Sequence, residues 1–409
     1  MEKSEFYREA RSDLSGPLAG VRVLEATTSW AGPMCACILA DLGADVIKVE
    51  DPAGEVGRFI QPFLPGTEPP LSFLHATVNR NKRSLTLDLR KPEGRDIFLQ
   101  LARHSDVVVE NFRPGTLDKW GVGYNAVRAV KSDIVYVSVS GYGQFGPNSN
   151  RVGYDQLAQA AGGFISLNGE PAGHPMKAPT FLCDDLSGLH GAIGALAALR
   201  HRDQTGEGQH VDAALLDAML FQSNGYLTQG ALGLGPKRMG NEVAFAVPAN
   251  VYSCRDGQVY LGVLLDTHWK VLARIVGRSE LAEHPEYAKR EARVANRDRI
   301  NQLMRDWLAD RRVEDVLEMM AEAAVPAAPV HTYAQAARDP HVLARDMLQQ
   351  ARSADGSTQP ITGPATKFSR TPTKVRTAAP VLGAHNDELL DELGIDRSAR
   401  ARLRDAKVI

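Results

Sequence analysis

Strand-like and helix-like segments alternate along the first half of the chain. Runs rich in Val and Ile predict buried strands, and segments with apolar residues at helical spacing predict the helices between them. Strands are predicted at 21–27, 45–50, 84–89, 106–112 and 133–143, and helices at 33–42 and 92–104. Because this alternation is typical of a parallel sheet covered by helices, it predicts a Rossmann-like α/β domain.

A different pattern begins near Gly230. Residues 250–264 are predicted to form a hairpin with Asp256 and Gly257 at its turn. Helices are predicted at 267–277, 296–310 and 313–323, then a linker with two prolines at 325–331. The pattern therefore predicts a large discontinuous domain formed by 1–228 and 332–409, with a smaller α+β domain inserted at 229–331.

Composition narrows the classes of partner. The formal net charge of -2 gives no electrostatic basis for binding nucleic acid. No run approaches the ~18 apolar residues of a membrane-spanning helix, and residues 1–16 lack the apolar core of a signal peptide. The cysteines do not have a usual zinc spacing. We therefore expect a cytoplasmic protein that contacts no membrane and has no disulfide and no structural metal.

Two adjacent carboxylates precede the most apolar helical segment. Residues 186–200 are almost uncharged and contain closely spaced small residues, which predicts a helix buried on most sides. Asp184 and Asp185 stand at its N-terminal end, where one Asp is a favoured cap. Because one cap needs only one Asp, the pair leaves a second role open. Our hypothesis is that Asp184 is a carboxylate nucleophile and Asp185 has a structural or capping role.

The first predicted strand is not followed by the G-x-G-x-x-G sequence of dinucleotide-binding proteins. Parallel sheets nevertheless bind ligands at the carboxyl ends of their strands. The loops at that edge contain aromatic, amide and basic side chains, which suit a ligand with a flat ring and phosphates. These side chains are Trp30, Asn111, Phe112, Arg113, Lys119, Trp120 and Tyr142.

Several segments, in order and with their spacing, resemble the family III CoA-transferases. This group, also called CaiB/BaiF, includes formyl-CoA transferase and carnitine CoA-transferase. The segments include VVVENFRPGTLDKWGVGY (107–124) and the stretch 183–220, which begins CDDLSG. The others are 31–50, 79–95, 137–147, 154–163 and 382–395. The predicted small domain resembles the family only in outline.

The resemblance implies an enzyme that moves CoA from an acyl-CoA to a free carboxylic acid, through an aspartyl mixed anhydride and an aspartyl-CoA thioester. The family nucleophile lies in an Asp-x-x-(Ser/Thr)-Gly sequence, which selects Asp184; Asp185 would require a slip of one residue. CoA is then a substrate, and no cofactor is tightly bound. The family also forms interlocked dimers, so a homodimer is expected, with a hetero-oligomer as an alternative.

The same resemblance implies the residues that contact CoA. Trp30 and Ala31 would lie near the thiol arm, and Leu87 and Arg90 near the adenosine end. The remaining contacts would come from Asn111, Phe112, Lys119, Trp120, Ser140, Gly141 and Tyr142. Asp51 and Ser140 stand where formyl-CoA transferase has basic residues, and Lys119 stands where it has arginine. No glycine-rich lid is evident between Gly240 and Tyr252, so oxalate is a doubtful acceptor.

Two other functions stay open. The family also contains 2-methylacyl-CoA racemases, but these have His-Asp where this chain has Tyr154 and Asp155. A tyrosine with a pKa of ~10 is a poor proton acceptor at neutral pH. A non-catalytic CoA-binding subunit of a hetero-oligomer is the other alternative, against which the presence of Asp184 argues.

Trp30 and the apolar run 244–252 hint at an acid larger than formate or oxalate, for instance a branched, aromatic or dicarboxylic acid.

Overall fold

A six-stranded parallel sheet forms the centre of the larger of two units in the chain. The computed structural model describes residues 1–353 and 356–409. The strands have the order β3-β2-β1-β4-β5-β6 and pair in parallel throughout. They are β1 (Arg22–Ala26), β2 (Asp45–Glu50), β3 (Lys82–Thr86), β4 (Val107–Glu110), β5 (Val135–Ser140) and β6 (His210–Ala214). The predicted α/β fold with a parallel sheet is confirmed.

The helices of the chain connect these strands and form most of the second unit. They are α1 (Lys3–Phe6), α2 (Ala31–Asp41), α3 (Phe73–Asn79), α4 (Pro92–Arg103), α5 (Thr116–Lys119), α6 (Tyr124–Val130), α7 (Asp155–Ala161), α8 (Phe164–Leu167), α9 (Leu182–Thr205), α10 (Leu215–Phe221), α11 (Tyr226–Ala231), α12 (Asp266–Ile275), α13 (Arg290–Ala295), α14 (Arg297–Leu308), α15 (Val313–Glu322), α16 (Tyr333–Ala336), α17 (Pro340–Ala344), α18 (Asn386–Glu392) and α19 (Arg397–Asp405). Within the described residues, no helix is both long and apolar enough to span a membrane.

Helices cover both faces of the parallel sheet. Alternate strand residues point to opposite faces, so Val23 packs with Leu39 of α2 and with α9, whereas Leu24 packs with Phe98 of α4 and with α18. Because both faces are buried at the centre of the sheet, the central strand β4 begins with the continuous apolar run 107–109, whereas the edge strand β3 is mostly polar. Local signals set the helix ends: Pro92 occupies the first turn of α4, and Gly206, in a left-handed conformation, ends α9.

Helices α2 and α9 approach each other closely on one face of the sheet. A Cβ atom added at Gly188 of α9 would lie 2.9 Å from Met34 Cγ and 3.0 Å from the carbonyl oxygen of Ala31. One added at Gly191 would lie 3.1 Å from Cys35 Sγ. The small residues therefore bring the backbones of the two helices together, and they place the first turns of α2 and α9 side by side.

The second unit consists of Ile165–Met176 and Gln229–Asp339, and the first unit of Met1–Phe164, Lys177–Thr228 and Pro340–Ile409. In the second unit β7 (Ala249–Cys254), β8 (Gly257–Gly262) and β9 (Ala327–Pro329) form an antiparallel sheet. Its core is built by Val259 and Leu261 of the sheet with Trp269, Met304 and Met320 of the helices. The predicted hairpin and the three helices after it are confirmed.

The structure differs from the predicted elements at three places. The third strand occupies Lys82–Thr86 rather than 84–89, because its neighbour β2 ends at Glu50, which lies opposite Thr86. The segment predicted as a linker contains β9, in which Pro329 lies on a sheet edge, where it is tolerated. In the first unit, β10 (Leu348–Arg352) and β11 (Thr358–Thr362) form a further hairpin.

The domain boundaries at 228 and 331 stay predictions. The second unit of the structure also includes 165–176 and the residues from 332 to 339, which the sequence-based division leaves in the large domain.

Replacement of Gly188 by Ala tests the close contact of α2 and α9. We expect Gly188→Ala to lower the free energy of unfolding by about 1–3 kcal/mol, since the new methyl group meets a backbone oxygen that cannot rotate away. The matched control is Gly230→Ala in α11, where an added Cβ has no neighbour within 4 Å. That variant should be unchanged or more stable by up to about 1 kcal/mol. Urea unfolding measures both; equal effects would contradict the packing argument.

Candidate active site

Asp184 and Asp185 lie in the first turn of α9, which begins at Leu182. Phe181, the residue before the helix, makes no side-chain capping bond. Neither of the two aspartates caps the helix by its side chain among the described contacts. Of the structural or capping role expected for Asp185, the described contacts show no capping by its side chain, and another residue satisfies the backbone N–H groups of this turn.

That residue is Asp155, the first residue of α7. Its buried Oδ1 accepts hydrogen bonds from the backbone N–H of Cys183 at 2.7 Å and of Asp184 at 3.4 Å. Its Oδ2 accepts from Gln159 Nε2 at 2.6 Å, and Gln159 Oε1 accepts from the N–H of Ala178 at 2.8 Å. A buried carboxylate thus caps α9 from a neighbouring helix and complements its positive end.

The side chains of Asp184 and Asp185 have different surroundings. Asp185 Oδ1 accepts a hydrogen bond from Trp30 Nε1 at 2.7 Å, and the Trp30 ring packs edge-on against Phe181 with centroids 5.4 Å apart. The carboxylate of Asp184 has no hydrogen-bond or ion-pair partner in residues 1–353 and 356–409. Asp185 is therefore fixed in place, whereas the oxygens of Asp184 stay available to a substrate.

Burial raises the pKa of Asp184 to about 7, and the nearby carboxylates of Asp155 and Asp185 act in the same direction. Burial also raises the pKa of Asp185, against which the hydrogen bond from Trp30 acts. At neutral pH, Asp184 is consequently a more basic and more nucleophilic carboxylate than a solvent-exposed one. The neighbouring thiol of Cys183 is raised by burial to a pKa of about 12, so it stays protonated and unreactive.

The loops after β1 and β4 are joined at the carboxyl edge of the sheet. Asn111 Oδ1 accepts from the backbone N–H of Thr28 at 2.8 Å, and its Nδ2 donates to the Thr28 carbonyl at 2.8 Å. These bonds hold the loop that carries Trp30 and Ala31 against the loop that carries Phe112. Phe112 in turn packs edge-on against Trp120 with centroids 5.2 Å apart.

The loop after β5 makes a close backbone contact at the same edge. A Cβ atom added at Gly141 would lie 2.5 Å from the Cα of Gly153, which itself lies beside the Tyr142 ring. Ser140 Oγ accepts from the backbone N–H of Gly143 at 3.0 Å. Since Gly153 is two residues before Asp155, this contact links the Ser140–Tyr142 loop to the residue that caps α9.

The other three residues of the expected CoA site, Leu87, Arg90 and Lys119, differ from one another in burial and in pairing. The Leu87 side chain is 1% exposed and packs in the core, so only its backbone is open to a ligand. Arg90 is exposed and is paired with Asp51 at 2.6 Å and Asp88 at 2.7 Å. Lys119 is exposed. A phosphate at Arg90 would therefore meet a guanidinium that is already paired with two carboxylates.

A cavity of about 1130 Å³ in the first unit lies apart from these residues. It is lined at the amino ends of β2 and β3 by Asp45 and Arg83, and further by Arg58, Arg376 and His385. Neither Asp184 nor any residue of the expected CoA site lines it. We therefore place the candidate site at the first turn of α9 rather than in this cavity.

Comparison with known proteins decides the family. The family model described as CoA-transferase family III matches residues 18–386. The chain belongs to CoA-transferase family III. The enzyme is 40% identical to the succinyl-CoA–L-malate CoA-transferase beta subunit of Chloroflexus aurantiacus, over 96% of this chain and 98% of that protein. It is 38% identical to the succinyl-CoA:mesaconate CoA-transferase of Haloarcula hispanica, over 93% and 97% of the two chains.

Solved structures agree with this assignment. A CaiB/BaiF family protein from Brucella suis superposes on this transferase with a TM-score of 0.84 and 36% identity, covering 93% of this chain and all of the other. The resemblance seen in the sequence is confirmed, and the transferase acts on CoA thioesters.

Sequence reasoning missed the cap of α9 by Asp155. Its only sequence signal is an Asp at the start of a short helix, and such residues usually cap their own helix. Among the described residues, no group of three or more His, Cys, Asp and Glu side chains could hold a metal ion.

The raised pKa of Asp184 predicts how the Asp184→Asn variant depends on pH. Between about pH 4 and about pH 7, Asp184 ionises in the unfolded chain but stays protonated in the folded transferase, so the wild type loses stability as the pH rises. The variant cannot ionise there. We expect it to be more stable than the wild type, by a margin that grows over this range to about 4 kcal/mol and stays constant above it. Urea unfolding at several pH values measures the margin. A margin independent of pH would contradict the raised pKa.

Proposed function

We propose that this transferase moves CoA from succinyl-CoA to a short dicarboxylic acid, with Asp184 as the nucleophile. The observation that carries the proposal is the half-buried Asp184 carboxylate, for which the described part of the chain offers no hydrogen-bond or ion-pair partner, one residue before a carboxylate that Trp30 holds in place. A carboxylate becomes a useful nucleophile when it is basic and is not held by hydrogen-bond donors. The Asp184 carboxylate is basic and is not held by a donor. The pKa of Asp185 is also raised, but the hydrogen bond from Trp30 acts against this and holds the carboxylate.

The proposed reaction has four attacks. An Asp184 oxygen attacks the thioester carbonyl, the carbon–sulfur bond breaks, and a mixed anhydride forms as CoA thiolate leaves. The thiolate attacks the Asp184 carbonyl carbon, which gives an aspartyl-CoA thioester and releases succinate. The acceptor carboxylate attacks this thioester, its carbon–sulfur bond breaks, and a second anhydride forms as CoA thiolate leaves. A final attack by the thiolate on the acceptor carbonyl yields the new acyl-CoA and restores the Asp184 carboxylate.

Each attack creates an oxyanion, which backbone N–H groups near Asp184 would stabilise by hydrogen bonds. At the start of α9 the N–H groups of Cys183 and Asp184 are occupied by Asp155, and that of Asp185 donates to Phe181. These three N–H groups are therefore not free to bind an oxyanion. In the described structure, the N–H groups of Ala31 and Gly32 have no acceptor, and the first turn of α2 packs against α9 at Gly188. These groups are the better candidates.

The proposed substrates come from the relatives. The two enzymes most similar among those compared are named for succinyl-CoA together with L-malate or mesaconate. Both acceptors are dicarboxylic acids, which agrees with the expectation from the sequence of an acceptor larger than formate. The high coverage of both chains supports the carry-over of this substrate class.

We further propose that the transferase is a dimer, of two identical chains or with a paralogous subunit. The α9 helix has an apolar stripe of Leu189, Ile193 and Leu196 that is 37–58% exposed, on the side away from α2. A stripe of this kind next to the site is typical of a subunit contact. The Chloroflexus relative is itself named as a beta subunit.

Mass spectrometry of a covalent intermediate tests the nucleophile. Wild-type enzyme incubated with succinyl-CoA should carry CoA on the peptide that contains Asp184. Asp184→Asn should form no adduct and lose at least ~10⁴-fold in kcat, since it removes the attacking oxygen anion. The matched control, Asp185→Asn, makes the same change one residue away and leaves an oxygen for Trp30 to donate to, so it should keep the adduct.

Three results would contradict this assignment. Loss of the adduct in Asp185→Asn alone would move the nucleophile to Asp185. Exchange of the α-hydrogen of a 2-methylacyl-CoA for deuterium, without CoA transfer, would indicate a racemase. A wild type that binds acyl-CoA but never becomes labelled or turns over would indicate a non-catalytic subunit.

A panel of acceptor acids tests the proposed substrate class. With succinyl-CoA as donor, dicarboxylic acids such as L-malate, mesaconate and glutarate should give kcat/KM values at least ~10-fold above monocarboxylic acids of similar size. A site with a partner for the second carboxylate rejects acids that lack it, because that partner is then left unsatisfied. Chromatography of the new acyl-CoA measures the rates, and benzoate serves as the aromatic comparison. A preference for aromatic acids would refute the dicarboxylic class.

A further inference from the structure

The loop that carries Trp30 is held in a strained conformation. Ser29 has a φ of 67°, a left-handed backbone conformation that residues other than Gly, Asn and Asp rarely adopt. Such a residue persists only where its surroundings hold it. The next residue, Trp30, donates to Asp185 at 2.7 Å, so a change of conformation at Ser29 would move the backbone from which the indole extends.

Glu55 makes two of the hydrogen bonds that hold this loop. Its Oε2 accepts from the backbone N–H of Ser29 at 2.9 Å, from Thr28 Oγ1 at 3.2 Å and from the N–H of Gly57 at 2.6 Å. Its Oε1 accepts from Nδ1 of His75, a fully buried residue of α3, at 2.8 Å. With the two bonds from Asn111 to Thr28, these contacts fix the loop from both sides.

The charge on Glu55 suits this role. Burial alone would raise its pKa, but the hydrogen bond from His75 and the ammonium group of Lys48 hold the pKa well below the usual range. Burial lowers the pKa of His75, so its ring is neutral and donates from Nδ1. An ionised carboxylate accepts several short bonds at once, and bonds to a charged acceptor are about twice as strong as neutral ones.

We propose that Glu55 is a positioning residue, which holds the Thr28–Trp30 loop so that the Trp30 indole fixes Asp185 beside the nucleophile. The inference depends on the proposed role of Asp184. Without the Glu55 carboxylate, Ser29 is free to leave its strained conformation, and the indole N–H is no longer aimed at Asp185. The Asp185 side chain is then free to move into the space beside Asp184 that an acyl group would need.

A double-mutant cycle tests whether Glu55 acts through Trp30. Trp30→Phe keeps an aromatic ring but removes the N–H, and Glu55→Ala removes the carboxylate. The rate measured is the exchange of labelled succinate into succinyl-CoA by the intact enzyme. Each single variant should slow kcat about 10-fold or more, and the double variant should be no slower than the slower single one. This is a coupling of about 10-fold, within the range found for residues of one network.

Two further variants separate positioning from a general loss of structure. Glu55→Gln keeps an oxygen that accepts from Ser29 and Gly57, so it should restore most of kcat. Glu50→Ala is the matched control: Glu50 is also a buried carboxylate at a strand end, but it bonds Arg58 and Ser84 and contacts no residue of the loop. Its effect on kcat should multiply with that of Trp30→Phe. Where Glu55→Ala does not fold, Glu55→Asp, which withdraws the carboxylate by one methylene, replaces it in the cycle.

The outcomes distinguish this inference from the proposed function. If wild-type enzyme is labelled at Asp184 and the effects of Glu55→Ala and Trp30→Phe multiply, the positioning role is refuted and the nucleophile stands. If Glu55→Gln is as slow as Glu55→Ala, the role of the carboxylate oxygen is refuted as well. Absence of any adduct on the wild type would instead refute the nucleophile, and the positioning role with it.

Discussion

The hydrogen bonds from the start of α9 to Asp155 are the constraint on which the site depends. They attach the backbone of Cys183 and Asp184 to a buried carboxylate of a different helix. A helix start otherwise frays or is capped by its own residues. Because the cap comes from α7, neither aspartate of the first turn is needed to cap the helix. One of them contacts Trp30, and the other is left with open oxygens at a fixed place.

Close packing of small residues gives this constraint its precision. Gly188 and Gly191 let α9 lie against α2, so the loop before α2 reaches the first turn of α9. The loop is fixed by Asn111 from β4 and by Glu55 from the segment after β2. Residues from β1, β2, β4 and α7 therefore meet at one helix start, at the carboxyl edge of the sheet, as expected for ligand sites of parallel sheets.

Much of the fold could be predicted from the sequence, because buried parallel strands and amphipathic helices leave periodic patterns. The short strand Ala327–Pro329 could not, since Pro326 and Pro329 suggest a linker and only the pairing of this segment with β8 makes it a strand. At the site, the resemblance selected Asp184 over Asp185. The roles of Asp155 and Glu55 were out of reach, because both act through backbone N–H groups distant in sequence, and such contacts leave no pattern in side-chain types.

Among the described residues, the Asp184 carboxylate has no hydrogen-bond donor, and this affects the relative free energies of the free and acylated enzyme. A carboxylate held by several donors gives up those bonds each time it becomes a neutral acyl group, so its acylated forms lie uphill. Asp184 has no such bonds to lose, and its anion is already disfavoured by burial and by two like charges. Acylation then relieves repulsion instead of breaking contacts. Under the proposed chemistry, the free and acylated enzymes are therefore closer in free energy, so that CoA transfer can run in either direction.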